Sequence, residues 1–155
     1  MRRHGPPPRK GLTYRNRIGA YGVLLREGDV LLAEQTGDIL LPGGGVDPGE
    51  TPVRALHREV YEETGWRIGP PRRLGVFHRY DFLKEERYDA RKIALVYIAR
   101  PIRPLGPPVE HDHIPVWMAA TQAVERLSIE GEARMLEAAL RRLPLPRRIH
   151  PATVL

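Results

Sequence analysis

The sequence predicts a single mixed α/β domain, on three observations. The chain has 155 residues, enough for one full hydrophobic core and too few for two. Apolar runs of strand length alternate with segments of helical periodicity. Hydrophobic residues make up 41% and charged residues 28%, ordinary for a folded protein and unlike a disordered one. There is no cysteine, which excludes disulfides, thiolate zinc sites and cysteine nucleophiles. No apolar stretch is long enough to cross a bilayer, and no apolar segment follows the basic start as it would in a signal peptide. The expectation is a cytoplasmic protein without a membrane partner.

The core starts near Tyr14. Ile18 to Leu25 reads as a buried strand, Arg26 to Asp29 as a turn and Val30 to Ala33 as the hairpin partner. Gln35 to Asp38 reads as a second turn before the short apolar run Ile39 to Leu41. A glycine-rich loop follows from Pro42 to Gly49. Thr51 is placed to cap a helix, Pro52 suits its first position, Gly65 suits its end, and Val53, Leu56 and Val60 form its buried stripe. Leu74 to Tyr80 and Lys92 to Ala99 read as strands around a polar loop, Asp81 to Arg91. Pro101 to Pro108 reads as a surface connection and Val116 to Met118 as a short strand. Helices over Ala119 to Leu127 and Ile129 to Leu143, the latter capped by Ser128, end the core. Trp66 and Trp117 are expected within it.

The net charge of +6 is located at the ends. All 19 acidic residues lie between Thr13 and Leu140, while Arg2, Arg3, Arg9 and Lys10 precede them and Arg141, Arg142, Arg147 and Arg148 follow. The segment between holds 17 cations, so it is slightly acidic. Residues 1–12 therefore read as a basic, proline-rich N-terminal tail, residues 13–143 as the domain and residues 144–155 as a Pro/Arg C-terminal tail. Solvated tails attract polyanions weakly, whereas nucleic-acid-binding domains concentrate cations on a folded face. RNA is an allowed partner but not a favoured one, and a homodimer is also allowed.

The chemistry lies in Gly44 to Trp66. On a helix Glu59, Glu62 and Glu63 fall within about 100° of one another. Three carboxylates that close repel, and a hard cation such as Mg²⁺ or Mn²⁺ would relieve the repulsion through oxygen ligands. Arg58 pairs with Glu62 at i,i+4 but cannot neutralise all three. The glycines just before the helix would let N–H groups face a phosphate. A solvated acidic helix face is the simpler alternative, which the preceding loop disfavours. His111 and His113 read as part of an exposed acidic loop, Tyr80, Phe82 and Tyr88 as packing or base-stacking aromatics, and Arg15 and Arg17 as surface or phosphate-contacting cations.

Gly44, five residues, Glu50, seven residues and then Arg58-Glu59-Val60-Tyr61-Glu62-Glu63-Thr64-Gly65 resembles the box of the Nudix hydrolases. Trp66 stands where that box closes on an aliphatic residue. The resemblance implies an α/β/α sandwich with a mixed β-sheet and a loop–helix–loop catalytic box. It implies metal-dependent hydrolysis of a nucleoside diphosphate linked to another moiety, by water attacking phosphorus. By position Glu59, Glu62 and Glu63 would be metal ligands for Mg²⁺ or Mn²⁺, joined by the Gly43 carbonyl, with Glu50 and Arg58 supporting them. The catalytic base would be Glu59, or Glu110 or Asp112 from a loop. Gly44, Gly45 and Tyr80 would contact the nucleotide-derived substrate. Asp81 to Arg91 lacks the proline of some ADP-ribose members, and the LPGGG loop lacks the WQFPQGG of many dinucleoside-polyphosphate and RNA 5′-end members. Nucleoside triphosphates, ordinary or modified, are left as the favoured substrates, ahead of dinucleoside polyphosphates, nucleotide sugars and RNA 5′ ends. A non-catalytic ligand- or RNA-binding module is disfavoured because every box carboxylate is present.

Overall fold

The computed structural model describes residues 1–143, so the C-terminal tail of residues 144–155 lies outside the described residues. The strands are β1 (Arg2–Arg3), β2 (Arg15–Arg26), β3 (Asp29–Gln35), β4 (Asp38–Leu40), β5 (Gly43–Gly45), β6 (Trp66–Ile68), β7 (Arg72–Leu83), β8 (Tyr88–Ala99), β9 (Pro101–Pro104) and β10 (His113–Ala119). The helices are α1 (Pro52–Thr64), α2 (Ala120–Arg126) and α3 (Glu130–Arg142). Eight strands form one mixed sheet in the order β1-β7-β8-β2-β3-β10, with β4 on β3 and β5 on β2; β6 and β9 pair separately. β1 with β7 and β2 with β8 run parallel, and the remaining pairs antiparallel.

Side-chain alternation along the central strands gives the sheet two buried faces. Ala20, Leu24, Leu31, Tyr97 and Ala99 meet Ala55, Leu56 and Val60 of α1 on one side. Val23, Val30, Leu32, Ala94 and Val96 meet Ala123 of α2 and Ala133, Leu136 and Ala139 of α3 on the other. This is the layered α/β arrangement expected. Leu56 is fully buried in the α1 layer. Leu56→Ala is expected to cost about 2–5 kcal/mol, read as a lower denaturant midpoint at unchanged slope.

Several local expectations are corrected. The polar loop at 81–91 is mostly hairpin, since β7 and β8 pair from Leu83↔Tyr88 inward. Pro101 to Pro104 is a strand on β6, because its edge position does not require the missing proline N–H groups. Residues 1–12 are not wholly a solvated tail: Arg2 and Arg3 pair with Phe77 and His78, and the His4 ring meets Phe77 edge-on at 5.6 Å. Val53, in the first turn of α1, is 36% exposed, while Thr64 and Glu63 fill the buried arc at the other end. Ser128 does not cap α3. Its hydroxyl accepts the Ile39 N–H at 3.0 Å and its N–H donates to the Ile39 carbonyl at 2.9 Å, clipping β4 to the chain between α2 and α3. Trp66 packs against the α1-side core as expected, whereas Trp117 is 36% exposed; the two rings meet edge-to-face at 5.3 Å, with Arg26 stacked 5.6 Å from the Trp66 ring.

Candidate active site

α1 is held as the sequence punctuates it. The Thr51 hydroxyl accepts the Arg54 N–H at 3.2 Å, and left-handed Gly65 closes the helix by donating to the Tyr61 carbonyl. The Glu62 carbonyl, left without an intrahelical partner in the last turn, accepts both the Val109 and the Glu110 N–H at 2.9 Å. This docking of a helix end on a loop carries Glu110 to the acidic face of α1.

Arg58 is the hub of that face. Its Nε and Nη2 donate to the two oxygens of Glu50 at 2.8 and 2.9 Å. Its Nη1 donates to Glu59 at 3.0 Å and Glu62 at 3.2 Å, and Nη2 also reaches the Gly45 carbonyl at 3.1 Å. The guanidinium hydrogen bonds hold Glu50 down to about 2, helped by the Asp47 N–H. Glu63 has no such partner. It is 5% exposed, accepts the Gly43 N–H at 3.3 Å, and is pushed up to about 9 by burial and then by the Glu59 charge. Burial also raises Glu59, against the pull of Arg58.

The carboxylates converge as cation ligands would. Ligand atoms of Glu59, Glu62 and Glu110 lie within 4.8 Å of one another, and so do those of Glu63, Glu110 and His113. The donor set is oxygen with one imidazole, and among the described residues the sole arginine or lysine bonded to it, Arg58, leaves Glu63 uncompensated. Such a set fits Mg²⁺ or Mn²⁺. His113 corrects the expected exposed loop. Its side chain is 9% exposed, with Nδ1 2.9 Å from Glu110 and Nε2 3.8 Å from Glu63. His111 points to solvent. Asp112 accepts a hydrogen bond from Gln35 at 2.9 Å at the rim.

The glycine-rich segment is also corrected. It is a strand, β5, paired with Gly19 to Tyr21, and the Gly43 N–H is donated to Glu63. Its lack of side chains makes room. A Cβ on Gly44 would strike the Glu59 carboxylate, and one on Gly45 the Arg17 guanidinium.

Gly43, Gly44 and Gly45 open, with Glu63 and His113, onto a cleft of about 460 Å³ on the α3 side of the sheet. Arg17, Arg79 and Lys92 line it, with Tyr21, Phe77 and Leu83 as its hydrophobic and aromatic wall. Glu132 of α3, 3% exposed, accepts the Leu41 N–H at 2.8 Å at the buried end and is pushed up to about 7 by burial. Burial lowers Lys92, and Arg79 adds to the effect. Arg79, Lys92 and Glu132 escaped the sequence reading. Glu132 left a signal, because it shares a helical face with Leu136 and Ala139, where a charge is out of place. Tyr80, expected against the substrate, does not line the cleft; it alternates with Arg79 and faces the other side of the sheet, packed on Tyr14 at 4.6 Å.

The family model described as NUDIX domain matches residues 13–140. Among curated proteins, a putative 8-oxo-dGTP diphosphatase of Bacillus subtilis is 38% identical over 71 residues, 44% of this chain and 48% of that protein. An RNA pyrophosphohydrolase of Yersinia enterocolitica is 43% identical over 54 residues, 34% of this chain and 30% of that protein. The chain thus spans half or less of the curated relatives it matches. Among solved structures, a MutT NUDIX hydrolase from Burkholderia pseudomallei superposes with a TM-score of 0.63 at 28% identity, covering 80% of this chain and 98% of that one. A NUDIX hydrolase from Nitrosomonas europaea superposes with a TM-score of 0.66 at 18% identity, covering 84% and 94%, a likeness of fold.

Proposed function

This chain belongs to the NUDIX family, and from that premise we propose that it is a divalent-metal-dependent pyrophosphohydrolase acting on nucleoside diphosphates linked to another moiety. Nucleoside triphosphates, ordinary or with a modified base, are the leading substrates. The observation that carries the reading is the convergence of Glu59, Glu62, Glu63 and Glu110 beside a cleft lined by three cations. The names of the curated relatives, a diphosphatase and a pyrophosphohydrolase, support the reaction type.

Glu59, Glu62, Glu63 and Glu110 would hold Mg²⁺ or Mn²⁺, with the Gly43 carbonyl as a further ligand. When bound, the ion supplies charge neutralisation for the phosphates and a water of lowered pKa. The chain supplies the rest. Arg58, tied to Glu50 on both oxygens, fixes the rotamers of Glu59 and Glu62. Arg17, Arg79 and Lys92 would contact the phosphates within the cleft, and the wall of Tyr21, Phe77 and Leu83 would exclude water around the base. Glu59 or Glu110 would take a proton from the attacking water.

The test is a nucleotide screen with Mg²⁺ or Mn²⁺, products separated by chromatography. A triphosphate cut at the α–β anhydride should release a monophosphate and pyrophosphate. Chelation should abolish turnover and added metal restore it. Full activity in excess chelator, on protein shown metal-free by mass spectrometry, would overturn the reading.

A further inference from the structure

The sheet has a second accessible surface, on the side away from the cleft. Because strand side chains alternate, Arg17, Gly19, Arg79 and Lys92 point to the cleft, and Ile18, His78, Tyr80, Phe82 and Arg91 point to the opposite side. α1 packs on that side against Ala20, Leu24 and Leu31, farther along the sheet. The beginning of β2 and the β7–β8 hairpin are left open there, with Phe82 51% and Ile18 46% exposed.

Aromatic and cationic groups share this open area. Tyr14 meets Tyr80 at 4.6 Å, and His78 meets Tyr80 at 5.8 Å, both edge-on. The pairing registers place Arg91 beside Tyr80 and Arg3 beside His78. Arg91 donates to the His78 Nδ1 at 2.9 Å, so that imidazole accepts and is neutral in this arrangement. Among the described residues neither Arg3 nor Arg91 has a carboxylate within 4.0 Å. The exposed segment from β1 to β2 adds Arg9, whose N–H donates to the Tyr14 hydroxyl at 3.0 Å, and Lys10 next to it. Asp89, opposite Phe82, is the acidic sheet position on this side. Partly exposed rings next to guanidinium groups without a carboxylate partner among the described residues are complementary to a strand of stacked bases on a phosphate backbone.

We propose that this open face of the sheet, built from Arg3, Tyr14, Ile18, Tyr80, Phe82 and Arg91, binds single-stranded RNA. The bases stack on the aromatic groups, and Arg3, Arg91 and the neighbouring Arg9 and Lys10 take the phosphates. The face adjoins the box, since the Ile18 carbonyl accepts the Val46 N–H at 3.0 Å where β5 ends. The proposal goes beyond the hydrolytic reading and is tested apart from it.

The probe is a fluorescent oligouridylate of about a dozen nucleotides with a 5′-hydroxyl, which offers no anhydride to cut. Anisotropy is measured in EDTA across a salt series. Wild type should bind with a log–log salt slope of about −3, for four phosphates at about −0.7 each. Phe82→Ala should weaken binding at least about fivefold, by loss of one stacking partner. Arg91→Ala should weaken it and flatten the slope by about 0.7. Arg134→Ala removes an equal charge from the outside of α3 and should leave binding unchanged. Turnover of free nucleotides by Phe82→Ala should match wild type, so loss of binding with hydrolysis intact supports this proposal independently of the hydrolytic reading. Absence of wild-type binding, equal affinity for a duplex, or wild-type affinity in Phe82→Ala each overturns it. So does a wild-type dimer in sedimentation that Phe82→Asp dissolves without altering RNA affinity, which would assign the face to a second copy of the chain.

Discussion

Glu63→Gln is expected to lower kcat at saturating Mg²⁺ by at least about 100-fold, roughly 2.7 kcal/mol of barrier lowering, with near-native stability. The side chain keeps its shape and loses only its charge. Without metal the substitution should relieve the fold, and pH sets by how much. The Glu63 carboxyl is raised by burial from its ordinary 4.5 to about 9. Between those values the folded chain holds a proton that the unfolded chain has released, so stability falls as pH rises through that window. Glutamine has no proton to lose. Melting in EDTA at pH 5 and pH 9 should therefore show a larger drop for wild type than for Glu63→Gln, with Glu59 and Glu132, both raised by burial, contributing to the slope that remains. A variant that melts early yet keeps wild-type kcat would make Glu63 a structural residue and remove it from the proposed ligand set.

Arg58→Ala should give the largest loss of stability among the polar positions of the site, about 3 kcal/mol without metal. That is the lower end of the range for removing one partner of a buried ion pair, because the guanidinium is 30% exposed. Its loss leaves Glu50, Glu59 and Glu62 without their shared donor. Arg58→Lys should recover little, since an ammonium cannot span both oxygens of Glu50 while reaching the other two carboxylates. Urea denaturation with and without Mg²⁺ checks both points, and the metal should restore part of the loss by replacing the missing positive charge. A change within about 0.5 kcal/mol would mean that Arg58 orders nothing.

The carboxylate helix was legible because its signals are local. The Thr51 cap, Pro52, the glutamate spacing and Gly65 each act within a few residues of one another. The α/β class was legible from the same kind of signal, repeated along the chain. Long-range partners left weaker traces. Nothing in the sequence around His113 says that its ring turns inward to Glu63, fifty residues earlier, since that depends on the loop docking on the end of α1. Tyr80 was misplaced because alternation assigns a face only when the strand's neighbours are known. Glu110 was named as a loop candidate, and the two hydrogen bonds to the Glu62 carbonyl are what bring it in.

The way the sheet ends bears on how readily its edges could pair with other chains. Open strand rims template association with other chains, and this one is blunted at both sides. At one rim β1 is only two residues long, both arginine, and the β7 it borders carries a bulge between Arg73 and Gly75. At the other rim Pro115 interrupts β10 with a position that has no N–H to offer. Charge, irregularity and proline thus each disfavour edge-to-edge growth of the sheet into aggregates, leaving its hydrophobic strands to pack within one molecule.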